Sequence, residues 1–465
     1  MGRFLSSKPH LPAPPIAPPR VPSVAVADSS APALPEATPV AFSGPEDQPV
    51  VFLAALAGVL LVFMKFSMLP EIQSALMGFK LYLLYLAAIP GCFAILVSGG
   101  LKRTFKGGPA AYCWLGYMLW IMLATPFSSW RGDSVHMVNM ALKNIPMVFV
   151  CAGLAVNWRF CKWMMYAIAG GGVVNLIASR VFMKDFGGRS GLEFGTVSNP
   201  NDFAGHLLLV LPFLLWIVLS SKPMVLRLGA LAAVVFGVYL ILGTASRGAL
   251  LALVGVLLLF LWKGSAKQRI AVLVTVPMLA GVVLMVMPHT VLSRLSSFSA
   301  GDSNSEALES SDSRRYLLKK SIEYTFQFPL FGVGPGQFGN YEGGHNQVIG
   351  THGMYHGAHN SYTQASAECG IPALLFFVAG IVSAFHILNS TFKEARRRPE
   401  CEDITTAAFC FMLAMVGFCI AIFFLNFAYF YYLPTMGGLA VAVRRAAKQE
   451  FQTRRQFAVA GGGEL

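Results

Sequence analysis

The residues able to do chemistry fall into four groups, three of them inside one polar stretch, 289–370. The group outside it is Gly243-Thr244-Ala245-Ser246-Arg247-Gly248, a tight turn between two apolar runs that puts Arg247 at a membrane boundary and at the start of a helix. An ionisable group at that depth is costly and is a functional hypothesis by default. Its planar guanidinium can grip a phosphate through two parallel hydrogen bonds; an interfacial arginine can equally reach for lipid headgroups. The second group lies in 313–328, which reads as an amphipathic helix capped from 310–313, with Leu318, Ile322 and Phe326 at helical spacing. Arg314 and Arg315 then fall in its first turn, where the helix dipole disfavours cations, so they read as placed for a partner. A surface helix lying on acidic lipid is the other reading. The third group is the turn Pro329 to Gly336, whose exposed backbone N–H groups could hold an anion. It fits neither the dinucleotide nor the Walker fingerprint.

The fourth group is His345, His352, His356, His359 and Asn360. A zinc site from His352, His356 and His359 has tolerable spacing. Gly353 and Gly357 argue against a rigid presentation and no HExxH pattern exists, so no metal is expected. A histidine acting as general base needs only a pKa near neutrality. His359 is the best placed, where the stretch returns to the membrane ahead of Glu368 and Gly370. Glu368 lies about two and a half helical turns on, so it orients the imidazole only through a bend or long-range packing.

These groups sit in a chain of 465 residues that is 55% hydrophobic and only 12% charged, about half the charge of a soluble domain. Continuous apolar runs mean helices across a bilayer, since lipid admits only helices or closed barrels. The expected fold is an all-α polytopic membrane protein with about twelve spans and one large, partly helical loop between the ninth and tenth. The fourth run, 136–156, is interrupted by Lys143, Asn144 and Pro146, and the last two, 404–422 and 424–443, need a tight turn near Asn426. The expected organisation is a Pro/Ala-rich disordered tail (1–49), nine spans (50–288), the catalytic loop (289–370), three spans (371–443) and a basic tail (444–465).

Every second loop is basic, which places both termini in the cytoplasm and the large loop outside. The net charge of +13 is thereby explained by topology, and nucleic acid is the weaker reading. Cysteine supports no disulfide framework, because only Cys369 borders the large loop. The outside cations Arg180, Lys184, Arg189, Arg247, Arg294, Arg314, Arg315, Lys319 and Lys320 run against the topological bias, which suggests an anionic ligand on the outer face. Acidic neighbours such as Asp185, Glu193, Asp202 and Asp312 are the alternative explanation.

The pattern resembles the O-antigen ligase and polymerase superfamily of polytopic bacterial glycosyltransferases. Thr244-Ala245-Ser246-Arg247-Gly248 is similar to its T-x-S-R-G signature. Arg314 with Pro329 and Gly332-Val333-Gly334 is similar to its loop block, and His359-Asn360-Ser361-Tyr362 with Glu368 and Gly370 to its H-N block. Asn199-Pro200-Asn201-Asp202 is a looser match; the extra histidines and Leu318 are departures. The resemblance implies transfer of a glycan from a polyprenyl-diphosphate donor to an acceptor hydroxyl outside the bacterial inner membrane, without cofactor or metal. It implies His359 as base, Arg247 and Arg314 as diphosphate stabilisers, and Arg315, Arg189, Asn360, Glu368 and Asn201 as substrate contacts. The acceptor stays open among lipid A core, a second glycan and a protein, hence ligase, polymerase or protein O-oligosaccharyltransferase. Outside this class, a transporter of lipid-linked sugar and a metal-dependent membrane hydrolase remain.

Overall fold

The computed structural model describes residues 49–197, 199–286, 291, 305–345 and 355–461, all within one compact unit. The expected disordered tail, Arg294, most of 289–304 and His352 lie outside the described residues.

Helix dominates. In chain order it forms α1 (Pro49–Ser67), α2 (Leu69–Met77), α3 (Leu83–Val97), α4 (Gly100–Lys106), α5 (Pro109–Ala124), α6 (Arg131–Asn144), α7 (Met147–Leu154) and α8 (Trp158–Phe182). A two-residue hairpin follows, β1 (Lys184–Asp185) against β2 (Ser190–Gly191). Then come α9 (Pro200–Leu219), α10 (Met224–Gly243), α11 (Arg247–Lys263), α12 (Ala266–Val286), α13 (Ser305–Gln327), α14 (Phe338–His345), α15 (Ser361–Ala395), α16 (Glu402–Ala421) and α17 (Tyr432–Gly461).

Among the described residues eight helices or joined helices are long and apolar enough to cross a bilayer, and a ninth if α3 and α4, bent by 73°, form one span. This is fewer than the twelve expected, although each of the twelve apolar runs contains helix. The shortfall has local causes. Helix α11 has only 17 residues, and α17 is apolar only up to Val443, beyond which Arg444, Arg445 and Lys448 follow. Helix α12 is the third, and it runs up to residues outside those described. The fourth expected run is among the eight, as α6 and α7 together.

The buried centre is built from α9 and α16, with α15 packed on α5, α16 and α17. Lipid gives helices no hydrophobic reason to associate, so close van der Waals approach must hold them. A Cβ on Gly438 would lie 2.3 Å from the Val148 carbonyl oxygen, and one on Gly171 2.8 Å from the Phe66 backbone. Helix α15 is broken at Gly370 (φ 83°), which lets Pro372 follow where its missing N–H is not needed. The turn expected at Asn426 is longer than a tight turn: a 3-10 segment, Ile422–Phe424, and then an irregular stretch reach α17 at Tyr432.

Candidate functional site

The turn between α10 and α11 has an unusual backbone. Ala245 sits at φ 47°, a left-handed conformation costing a residue with a Cβ on the order of 1–3 kcal/mol. Ser246 then caps α11, accepting from the Ala249 N–H, so Arg247 is the first residue of that helix. A helix N-terminus attracts anions through its free N–H groups and its dipole, and Arg247 adds a full charge there. Gly248 is required by packing, since its Cβ would meet the Phe424 ring at 2.5 Å.

Arg189, from the hairpin loop, ties this turn to α9. Its Nε donates to the Thr244 carbonyl oxygen (2.9 Å) and its Nη2 to Asn201 Oδ1 (2.7 Å). Asn201 stands in the first turn of α9, a helix capped by Asn199 through the N–H groups of Asn201 and Asp202. Asn199, Asn201 and Asp202 line a cavity of about 400 Å³, together with Thr196, Tyr355, His356, His359, Phe424, Asn426 and Phe427. The wall is braced from behind by a buried polar chain in which Thr196 bonds Tyr432, Tyr432 bonds His206 and His206 bonds Asn175.

His359 also lines this cavity. It too has a left-handed backbone (φ 48°), held because its N–H donates to Asn426 Oδ1 at 2.7 Å. Gly357 makes room for that asparagine, whose amide nitrogen lies 2.5 Å from where a Cβ would be. Burial first, then the Arg314 guanidinium and His356, push the imidazole down to about 4. His359 is therefore neutral at physiological pH, and Arg314 lies within its electrostatic reach.

Three expectations change. Helix α13 begins at Ser305, so Arg314 and Arg315 lie well past its first turn and the dipole argument for them falls. Arg314 is half-buried and Arg315 exposed. The N–H groups of the glycine turn after α13 are engaged within the protein. Its Val333 and Gly334 N–H groups donate to the Ala367 and Glu368 carbonyls, and Gly336 donates to Glu368 Oε2, all at 2.9 Å. The turn is a clasp on α15, clamped further by Phe331 stacked on Phe127 at 4.1 Å. Glu368, expected to contact substrate or orient His359, is buried and fastens this clasp, accepting also from the Tyr429 hydroxyl at 2.6 Å.

Asn360 is likewise occupied structurally, because its Oδ1 caps α15 by accepting from the Tyr362 and Thr363 N–H groups. His345 sits at the end of α14, stacked on Tyr341 and exposed. Among the described residues no three His, Cys, Asp or Glu side chains converge as metal ligands. Sequence reasoning missed Phe424, Asn426 and Tyr355. The first two come from a loop far along the chain from the histidines, Asn426 being 67 positions beyond His359, and Tyr355 carries no catalytic signature. Only the break between the last two apolar runs hinted at that loop.

No curated protein matches the chain. A model of the O-antigen ligase family matches residues 232–378, a segment that holds the Arg247 turn, α13, the glycine clasp and His359. Over that segment the chain is similar to the O-antigen ligase family.

Proposed function

We propose that the protein transfers a glycan from a polyprenyl-diphosphate donor to an acceptor hydroxyl at the periplasmic face of a bacterial inner membrane, as an O-antigen ligase. The observation that carries this reading is the meeting of His359 with Asn201 at one cavity, Asn201 being tied through Arg189 to the Arg247 turn. The cavity mixes amides and a carboxylate with aromatic rings, a lining suited to sugar hydroxyls and sugar faces. In the proposed step the acceptor oxygen attacks the anomeric carbon, the bond to the diphosphate oxygen breaks, and the configuration inverts. His359 takes the acceptor proton, and the lipid diphosphate leaves with its charge held by Arg247 and Arg314, with Arg315 and Arg189 in support. No metal or cofactor enters the step.

A base at about 4 is weak for work at neutral pH. A diphosphate beside Arg314 offsets the smaller, coulombic part of this depression and raises the basicity of the imidazole, while the larger part, from burial, stays.

Replacing Arg247, Arg314 or His359 by alanine should leave the protein inserted and lower glycan attachment by about 10²–10⁴-fold, the usual worth of a general base or a charge-stabilising donor. Full attachment with all three alanine variants would sink the reading. A deletion strain separates ligase from its relatives. Loss of capped lipopolysaccharide with polymer intact identifies the ligase, single repeat units a polymerase, and unmodified protein an O-oligosaccharyltransferase.

A further inference from the structure

A second cavity, about 570 Å³, opens at the other end of α15 and is lined by Ser390, Lys393, Glu394, Arg397, Arg398 and Arg444. Helix α15 starts at the cap beside His359 and, beyond its break at Gly370, runs through 371–395 for about 37 Å at 1.5 Å per residue. That exceeds the hydrocarbon thickness of about 30 Å, so the cavity belongs to the membrane face opposite the candidate catalytic site.

Four cations surround one carboxylate there. Glu394 orders two of them: Arg444 Nη1 lies 2.6 Å from its Oε2 and Arg398 Nη1 3.3 Å from its Oε1. Arg398 also donates to the Glu394 carbonyl at 3.1 Å and stacks over Phe451 at 4.4 Å. These two guanidiniums are already immobilised, so a ligand would lose little further side-chain freedom. Lys393 and Arg397 are exposed on the same cavity and form no ion pair among the described residues. Topological bias places cations on this face but does not gather them around a hollow. The helix C-terminus of α15 favours nearby cations, yet four exceed what half a unit of negative charge calls for.

We propose that this cavity is a binding site for a phosphate-bearing anion, with the headgroup of an anionic phospholipid as its occupant. Basic pockets between membrane helices hold such headgroups, and each cation near the surface contributes about 1 kcal/mol. The occupant bridges α15 to α17, the helix that carries Arg444.

The test compares the full chain with K393Q/R397Q, which removes two charges and keeps both arginines held by Glu394. In nanodiscs of phosphatidylcholine doped with phosphatidylglycerol, the wild type should retain phosphatidylglycerol in native mass spectrometry. The variant should bind it about thirtyfold more weakly, the equivalent of two cations. In a second arm inorganic phosphate is titrated in phosphatidylcholine alone and thermal unfolding followed. Variant-sensitive retention of lipid supports a headgroup, and variant-sensitive stabilisation by phosphate alone supports a soluble phosphorylated ligand. Equal behaviour of wild type and variant in both arms overturns the site. Unfolding in phosphatidylcholine without phosphate verifies that the variant folds; if it does not, K393Q alone is carried through both arms, with about fivefold weaker binding expected.

Discussion

At the scale of single residues, His359 combines two properties that rarely meet by accident. Its backbone is held left-handed by Asn426, and its imidazole is kept neutral by burial and by Arg314. The folded state thus binds the proton less readily than the unfolded chain, whose histidine titrates near about 6.5. Above about 6.5 neither state is protonated, and as pH falls toward 4 only the unfolded state gains a proton, so stability is lost on acidification. An NMR titration of labelled histidine should find His359 with a midpoint near 4 and R314A with a higher one. A midpoint unmoved by R314A would remove Arg314 from the site. Arg247 and His359 were legible as candidates because a charge at a membrane boundary and a histidine at a loop's return are local facts. Asn426 was not, because an asparagine between two apolar runs looks like turn chemistry until its partner 67 positions away is known.

At the scale of elements, much of the polar backbone is devoted to holding α15 where it is. The clasp 329–336 lends its N–H groups to α15, and Gly332 and Gly370 stand at φ 65° and 83° against each other's strands of backbone. A Cβ on Gly332 would lie 2.3 Å from the Glu368 carbonyl carbon, whereas one on Gly344 would meet nothing within 4 Å. Gly332→Ala should therefore cost on the order of 3 kcal/mol, from left-handed strain and overpacking together. Gly344→Ala should be nearly neutral, and thermal unfolding of the two variants in one detergent compares them directly. Similar midpoints would show that the clasp yields. The glycine spacing was visible in the sequence, but its use was not. Whether an N–H faces an anion or a carbonyl depends on what lies across from it, and here that is the backbone of Ala367 and Glu368. The start of α13 was misplaced for a different reason: Ser310, Ser311 and Asp312 are good capping residues, yet the helix continues back through them to Ser305.

At the scale of the whole molecule, the arrangement is a two-faced one, with the candidate transfer site at one end of α15 and the basic cavity at the other. This layout carries a topological prediction. Alkaline phosphatase fused after Gln327 should be active, as in a periplasmic segment, and inactive when fused after Lys263, in a basic loop. Activity at both points would put both ends of α12 on one side of the membrane and break the alternation on which the proposed orientation rests.

The sequence by itself determined the helical, membrane-bound character and the identity of the ionisable groups, because hydropathy and charge are properties of each residue in its own neighbourhood. It could not determine the number of crossings, since α11, α12 and α17 differ from clear spans only in length, in ending and in where charge begins. Tertiary structure decided which polar groups remain for chemistry. Glu368 and the glycine N–H groups are consumed by contacts between α15 and the clasp, and Arg189 reaches Thr244 across 55 positions. Such pairings arise because a chain folding in lipid must satisfy its buried donors, and that constraint acts in space, with no trace in linear order.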